Sequence, residues 1–236
     1  MKQVIAMHGW AGDSNAWKNW AEYFCKNEWT WQSVERGYGD HPPWSPIWEK
    51  SPSSDANSKR VVIAHSFGLH LIDSQILNQA TDVVLLSCFS RFIPDGNKSR
   101  SLKTALQGMQ KHLGTSEETN MLKSFHFKAS HPESNTTIPP SPITNGLSIQ
   151  GRRRLVRDLK LLSETSELPK DLPTKSRVLV IQGQEDSIIV PLTRETLIDD
   201  LKKHLYAHPT NWVIPGAGHL LLIPDLIKNV HSWLNN

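Results

Sequence analysis

An apolar, β-type run, Val61–Ala64, stops abruptly at the tetrapeptide 65–68, and a helix-like pattern follows at once. A strand that turns directly into a helix has room only for small residues two positions before and after the turn, and Ala64 and Gly68 occupy these positions. Such a turn presents the side chain at its apex, here Ser66, as a nucleophile. An ordinary strand-to-helix turn has the same pattern, so the interpretation depends on partners elsewhere in the chain.

Two later predicted strands are followed by candidate partners for the serine. A buried strand beginning at Arg177 leads to Asp186, and a strand beginning at Thr210 leads to a glycine-rich loop that ends in His219. Aspartate also caps turns, and Glu185 is a weaker rival for the acid. We expect Asp186 to be the acid and His219 the base of a triad.

The first predicted strand, Gln3–Met7, runs into His8-Gly9-Trp10. His-Gly followed by an aromatic residue at the end of an early strand is expected to place backbone N–H groups beside Ser66. We therefore predict an oxyanion hole formed by the N–H groups of Trp10 and Phe67, each typically contributing about 3 kcal/mol to transition-state stabilisation. The His8 side chain is interpreted as structural.

Together these four motifs resemble the α/β-hydrolase superfamily over essentially the whole chain. The order Ser66, Asp186, His219 is that superfamily's order of nucleophile, acid and base. The resemblance implies an α/β fold in which a mostly parallel sheet is flanked by helices, and a serine hydrolase that needs no metal or organic cofactor. Residues 35–40 also resemble the superfamily's strand-end loop, with Glu35 where aspartate is usual.

Composition fits one globular enzyme, since 236 residues can bury a single sizeable core. No apolar run is long enough to span a bilayer, and no basic-then-apolar leader precedes the first strand. Cys25 and Cys88 are isolated thiols rather than a disulfide framework, and no Cys/His spacing indicates zinc. We expect a cytoplasmic, monomeric protein.

About ninety residues separate the predicted strand ending near Ser87 from the one starting at Arg177, more than a single crossover needs. In the superfamily a helical cap, or lid, is inserted at this position. The predicted division is a hydrolase core over 1–90 and 168–236 and a cap over 91–167. Within the cap we expect helical stretches over 101–127, an extended connection over 130–145 and a second helix over 151–162.

The predicted cap is the basic part of the chain. Between Arg91 and Leu162 there are twelve Lys and Arg against five Asp and Glu, a balance of +7, whereas the whole chain carries +3. In its last helix, helical spacing places three leucines on one face and three cations on the opposite face. The leucines are Leu155, Leu159 and Leu162, and the cations are Arg153, Arg157 and Lys160. Such a stripe is either a solvated helix face or a surface that attracts an acidic partner. Aromatic residues do not alternate with the cations, which disfavours nucleic acid.

Within the superfamily the chain most resembles the BioH group, esterases that remove the methyl ester from pimeloyl attached to acyl carrier protein during biotin synthesis. The resemblance rests on the motif 8–10 followed by Ala16-Trp17, and on residues 145–147 before the last cap helix. The elbow at 64–68 departs from that group's usual Gly-Trp-Ser-Leu-Gly. In the group the cap presents arginines to the acidic carrier protein, and the expected counterparts here are Arg153, Arg154 and Arg157.

Other functions remain open from the sequence. The same triad would serve a general short-chain carboxylesterase, a thioesterase or a lyase that works by proton abstraction. A ligand-binding receptor on a hydrolase scaffold is a non-enzymatic alternative, which the complete triad disfavours.

Overall fold

A single parallel β-sheet organises the protein. The computed structural model describes residues 1–50, 58–96, 98–132 and 146–236. Within these residues the strands are β1 (Lys2–Met7), β2 (Thr30–Ser33), β3 (Lys59–His65), β4 (Asp82–Leu86), β5 (Arg177–Gly183) and β6 (Thr210–Ile214). They pair in the order β2-β1-β3-β4-β5-β6, and every neighbouring pair is parallel. The predicted α/β fold with a mostly parallel sheet is confirmed.

Helices cover both faces of this sheet and its carboxyl edge. They are α1 (Lys18–Lys26), α2 (Gly68–Leu71), α3 (Ser74–Leu77), α4 (Lys98–His112), α5 (Glu118–Ser130), α6 (Ile149–Glu164), α7 (Pro191–His204) and α8 (Leu226–Asn235), with a 3-10 turn at Ser14–Trp17. In the described ranges, no helix is long and apolar enough to cross a bilayer.

The core has two layers because successive strand residues point to opposite faces. In β3, Val62 and Ala64 belong to the layer under α2, α3 and α7, whereas Val61 and Ile63 belong to the layer under α1 and α8. All four side chains are fully buried, as expected for a parallel sheet covered on both faces. The methyl group of Ala64 is thus accommodated in the core.

The segment between β4 and β5 forms α4, α5 and α6 above the carboxyl ends of the strands. The predicted helical stretch over 101–127 is two helices, and the chain breaks between them at Gly114, which has a φ of 82°. The second predicted helix, 151–162, lies inside α6. Apart from residues 130–132, the connection expected over 130–145 lies outside the described residues. The domain bounds at 91 and 167 stay a prediction.

A buried ion pair attaches α6 to the loop after β2. Asp158 is fully buried and accepts hydrogen bonds from Nε and Nη2 of Arg36, both at 2.6 Å, and from the Tyr38 hydroxyl at 2.8 Å. Gly151 lies so close to the same loop that a Cβ there would be 1.7 Å from the Tyr38 carbonyl oxygen. These contacts fix α6 above the edge of the sheet where the candidate site lies.

Candidate active site

Ser66 lies at the turn between β3 and α2, and its φ is 54°. This left-handed conformation is strained for a non-glycine residue and is typical of a nucleophile held at a sharp strand-to-helix turn. The turn needs glycine nearby, since a Cβ at Gly68 would lie 2.6 Å from the Met7 carbonyl oxygen and one at Gly9 would lie 2.9 Å from Cβ of Ser66. The backbone thus presents the serine hydroxyl as the sequence predicted.

The structure brings the three predicted triad residues together. Nε2 of His219 is 3.0 Å from Oγ of Ser66, and Nδ1 of His219 is 2.8 Å from Oδ2 of Asp186. Because a carboxylate only accepts, Nδ1 carries the proton and Nε2 can accept the serine proton. This is the hydrogen-bond order of a Ser-His-Asp triad. The Glu185 side chain is exposed and lies outside this hydrogen-bond chain.

Asp186 is buried but remains a carboxylate because its acceptors are satisfied. Its Oδ1 accepts the backbone N–H groups of Ile188 and Ile189, at 2.8 and 2.9 Å. Burial favours the neutral acid, but His219 and these two N–H groups outweigh that effect and lower the pKa of Asp186 below its ordinary 3.8. The negative charge is therefore available to orient His219 and to stabilise its protonated form.

The predicted oxyanion donors follow two neighbouring strands, Trp10 after β1 and Phe67 after β3. Trp10 and Phe67 are both buried, and within the described part of the chain neither backbone N–H donates to a protein acceptor. The indole N–H of Trp10 donates to the Leu155 carbonyl oxygen at 3.0 Å, which ties this loop to α6. The role of the two N–H groups as an oxyanion hole remains a prediction.

Two histidines near Ser66, His8 and His65, form hydrogen bonds with backbone groups. His8 bonds to backbone through Nδ1 to the Gly9 carbonyl oxygen and through Nε2 to the Arg36 N–H, and its Nε2 also lies 3.8 Å from Oε1 of Glu35. His65 was not singled out, although it directly precedes Ser66. Its Nε2 lies 3.0 Å from the carbonyl oxygen of His219.

Ser66 stands between two cavities of unequal size. The larger has a volume of about 400 Å³, and its lining is mainly apolar, including Phe92, Leu102, Leu106, Met121, Leu159 and Ile188. The smaller has a volume of about 80 Å³ and is lined by residues that include Gly9, Ala11, His65, His126, Ala129 and His219.

Trp10 and Phe125 line both cavities and form the wall between them. Their rings meet edge to face with centroids 5.2 Å apart. Trp10 belongs to the predicted motif at the end of β1. Phe125 was missed because its position on α5 gives no signal beyond that of an ordinary apolar residue.

The three arginines proposed for a partner lie on α6 in different environments. Arg153 is exposed, and the side chain of Arg157 is 66% exposed, with Nε 3.5 Å from Oδ1 of Asp158. Arg154 is half-buried, and its Nη1 donates to the Gly37 carbonyl oxygen at 2.9 Å. Arg154 therefore contributes to the attachment of α6.

In the described ranges, no group of His, Cys, Asp and Glu is arranged to hold a metal ion.

Comparison of folds finds many similar structures. No family model and no curated protein sequence matches the chain. An esterase from Exiguobacterium antarcticum superimposes with a TM-score of 0.69 at 13% identity, covering 100% of this chain and 92% of that one. A thermophilic esterase from Thermogutta terrifontis gives 0.62 at 18% identity, with coverages of 100% and 90%. An alpha/beta hydrolase fold protein from Nakamurella multipartita gives 0.57 at 14%, with coverages of 99% and 92%.

The protein therefore has the α/β-hydrolase fold, as its motifs predicted. At these identities the likeness concerns the fold, and the function has to be argued from the site itself.

Proposed function

We propose that the protein is a serine carboxylesterase. The observation that carries this proposal is the hydrogen-bond chain from Ser66 through His219 to Asp186. His219 takes the proton from Ser66 Oγ, which attacks the ester carbonyl, and the N–H groups of Trp10 and Phe67 stabilise the oxyanion. His219 then gives this proton to the leaving alcohol. Water, deprotonated by the same histidine, releases the acid from Ser66.

The larger cavity supports an acyl chain as the group retained on Ser66. Its mainly apolar lining favours hydrocarbon, because burial of each methylene group stabilises binding by about 0.8 kcal/mol. Exposed residues also line it, among them His112, Glu117 and Lys128, and they mark where the cavity reaches the surface. A long acyl group could therefore start at Ser66 and continue outside the protein.

The smaller cavity supports a small leaving group. Its volume of about 80 Å³ is a few times the share of one water molecule in the liquid, about 30 Å³. Methanol fits this space, and so does the water that later attacks the acyl-enzyme. A methyl ester is the simplest substrate that satisfies both cavities.

The acyl group of the proposed substrate is pimeloyl carried by acyl carrier protein, as in the BioH group. The cap segment carries +7, and Arg153 and Arg157 are two exposed cations of α6. Glu118 is paired with Arg152 at 2.6 and 2.8 Å, so this part of α6 lies beside the rim residue Glu117. A basic surface at the mouth favours an acidic carrier whose acyl chain enters the cavity.

The test compares methyl pimeloyl-acyl carrier protein with free methyl pimelate, at low and moderate salt. We expect preference for the carrier-bound ester, which salt weakens because charge steering is screened. Arg153→Glu with Arg157→Glu should reduce kcat/KM for the carrier-bound ester at least tenfold and leave the free ester unchanged. The control is Lys175→Glu with Lys203→Glu, two exposed cations outside the cap with the same change in net charge. Arg154 is left intact because its loss would also loosen α6.

The outcomes distinguish the general proposal of ester hydrolysis from the specific proposal of a carrier-bound substrate. Ready cleavage of small esters without preference for the carrier would support a general carboxylesterase and contradict the carrier-bound substrate. Absence of ester hydrolysis by a folded protein that binds acyl ligands would contradict the esterase and favour a receptor.

A further inference from the structure

We infer that His65 is a positioning residue that holds the backbone of His219 and thereby sets the reach of the base to Ser66. The inference rests on the proposed function of the same site. His65 is the last residue of β3, and its Nε2 is 3.0 Å from the carbonyl oxygen of His219. Since a carbonyl oxygen only accepts, Nε2 of His65 carries a proton and donates it to this bond.

The hydrogen bond between His65 and His219 links the chain segments that carry the nucleophile and the base. The backbone of His65 leads directly into Ser66, while its side chain holds the residue that must take the serine proton. The rings of His65 and His219 also lie side by side, with centroids 5.0 Å apart and planes at 56°. A shift of the His219 loop away from β3 would therefore lengthen the 3.0 Å separation between Nε2 of His219 and Oγ of Ser66.

The loop that carries His219 has other supports, including a turn around the histidine that the Leu221 N–H closes on the Gly218 carbonyl oxygen at 3.3 Å. A Cβ at Gly183 would lie 2.3 Å from the Ala217 carbonyl oxygen, and the Glu185 N–H donates to that same oxygen at 2.9 Å. The His219 ring is held by Asp186. Among the hydrogen bonds of the described residues, the His65 bond is the one made to the carbonyl group of His219 itself.

The protonation state of His65 suits this role. Burial and the neighbouring His219 outweigh the hydrogen bond and lower the pKa of His65 from 6.5 to about 3. His65 is therefore neutral throughout the pH range in which a histidine base works. It brings no second positive charge beside His219 when His219 becomes protonated.

His70 provides a matched control within the same stretch of chain. Its Nε2 is 2.8 Å from the Phe89 carbonyl oxygen, and burial lowers its pKa to about 4. Both histidines are thus neutral and donate one hydrogen bond to a backbone carbonyl group. They differ in the residue that accepts this bond, because His65 donates to the triad residue His219 and His70 donates to Phe89, which is outside the triad.

The experiment compares His65→Gln, His65→Asn and His65→Leu with His70→Gln and His70→Leu. A glutamine amide reaches about as far as Nε2 of histidine, whereas an asparagine amide stops at the level of Nδ1. On methyl butyrate we expect His65→Leu and His65→Asn to lower kcat about tenfold with little change in KM, and His65→Gln to restore most of it. The His70 variants should lower the melting temperature and keep kcat within about twofold.

A double-mutant cycle tests the same claim independently. In an Asp186→Asn background the base is already misoriented, so His65→Asn should cost much less than tenfold there. Equal kcat for the Gln and Asn variants, full additivity with Asp186→Asn, or an equal loss of kcat in the His70 variants would each overturn the inference. Reaction of Ser66 with a fluorophosphonate distinguishes failure of the proposed function from failure of this inference. If the wild-type protein does not react, the esterase proposal is contradicted. If wild type and His65→Asn are labelled at equal rates, the role of His65 is contradicted.

Discussion

At the scale of single residues, the buried carboxylate of Glu35 illustrates how the fold holds the site's surroundings. Its Oε1 accepts the Gly37 N–H at 2.7 Å and its Oε2 the Ser14 N–H at 2.9 Å, while Nε2 of His8 is 3.8 Å away. Burial opposes ionisation, but His8 and these N–H groups lower the pKa of Glu35 from 4.5 to about 2.

Glu35 should therefore make stability depend on pH in the acid range. A carboxylate whose pKa is lower in the folded state stabilises the fold above its unfolded pKa, and this contribution disappears as pH falls toward the folded pKa. We expect Glu35→Gln to lower the free energy of unfolding at pH 7 by up to about 3 kcal/mol. The deficit should shrink as pH falls from 4.5 toward 2, because wild-type Glu35 is then also uncharged.

Urea unfolding at several pH values measures this difference, with exposed Glu22→Gln as the control. A deficit that stays constant from pH 7 to pH 3 would show that the charge of Glu35 does not stabilise the fold.

The sequence predicted those residues whose role follows from their place after a strand. Ser66, Asp186 and His219 each come just after a strand, and parallel strands bring their carboxyl ends to one edge. His65 and Asp158 were missed because their partners are remote in the chain and come close only through packing.

At the scale of elements, α5 separates the two cavities through one side chain. Phe125 lines both cavities, whereas Phe127 on the same helix is 61% exposed. Phe125→Ala should open the wall beside Trp10 and make room for larger leaving groups. We expect the ratio of kcat/KM for benzyl butyrate to that for methyl butyrate to rise at least fivefold, since a clash with a bulky alcohol is removed.

Phe127→Ala is the matched control and should leave this ratio unchanged. If Phe125→Ala also leaves it unchanged while the protein stays folded, the smaller cavity does not select the leaving group.

Helix α6 shows how far periodicity can be used for an element. The leucine face was predicted correctly, and Leu155, Leu159 and Leu162 are buried. Periodicity did not predict that Arg154 would bond to the Gly37 carbonyl oxygen, because a cation beside a helix's apolar face gives no sign of its acceptor. The helical stretches expected over 101–127 are present, but the pattern did not place the break between them at Gly114, since a lone glycine inside a helical pattern is compatible with a continuous helix.

At the scale of the whole molecule, the strand order explains why four distant segments form one site. β1, β3, β4, β5 and β6 are consecutive in the sheet, so the loops that carry Trp10, Ser66, Asp186 and His219 share its carboxyl edge. This arrangement follows from the order of the motifs and could be predicted. The sizes of the two cavities could not, because they depend on how side chains of α4, α5 and α6 meet above the edge.

The central claim is that Ser66 forms an acyl-enzyme, and trapping that intermediate tests it most directly. The protein is mixed with vinyl butyrate, an activated ester with a small leaving group, quenched in acid within the first turnover and mapped by peptide mass spectrometry, with Ser66→Ala in parallel. The account predicts a butyryl group on Ser66, with neither the adduct nor hydrolysis in Ser66→Ala. A butyryl group on another residue, or full hydrolysis by Ser66→Ala, would contradict it.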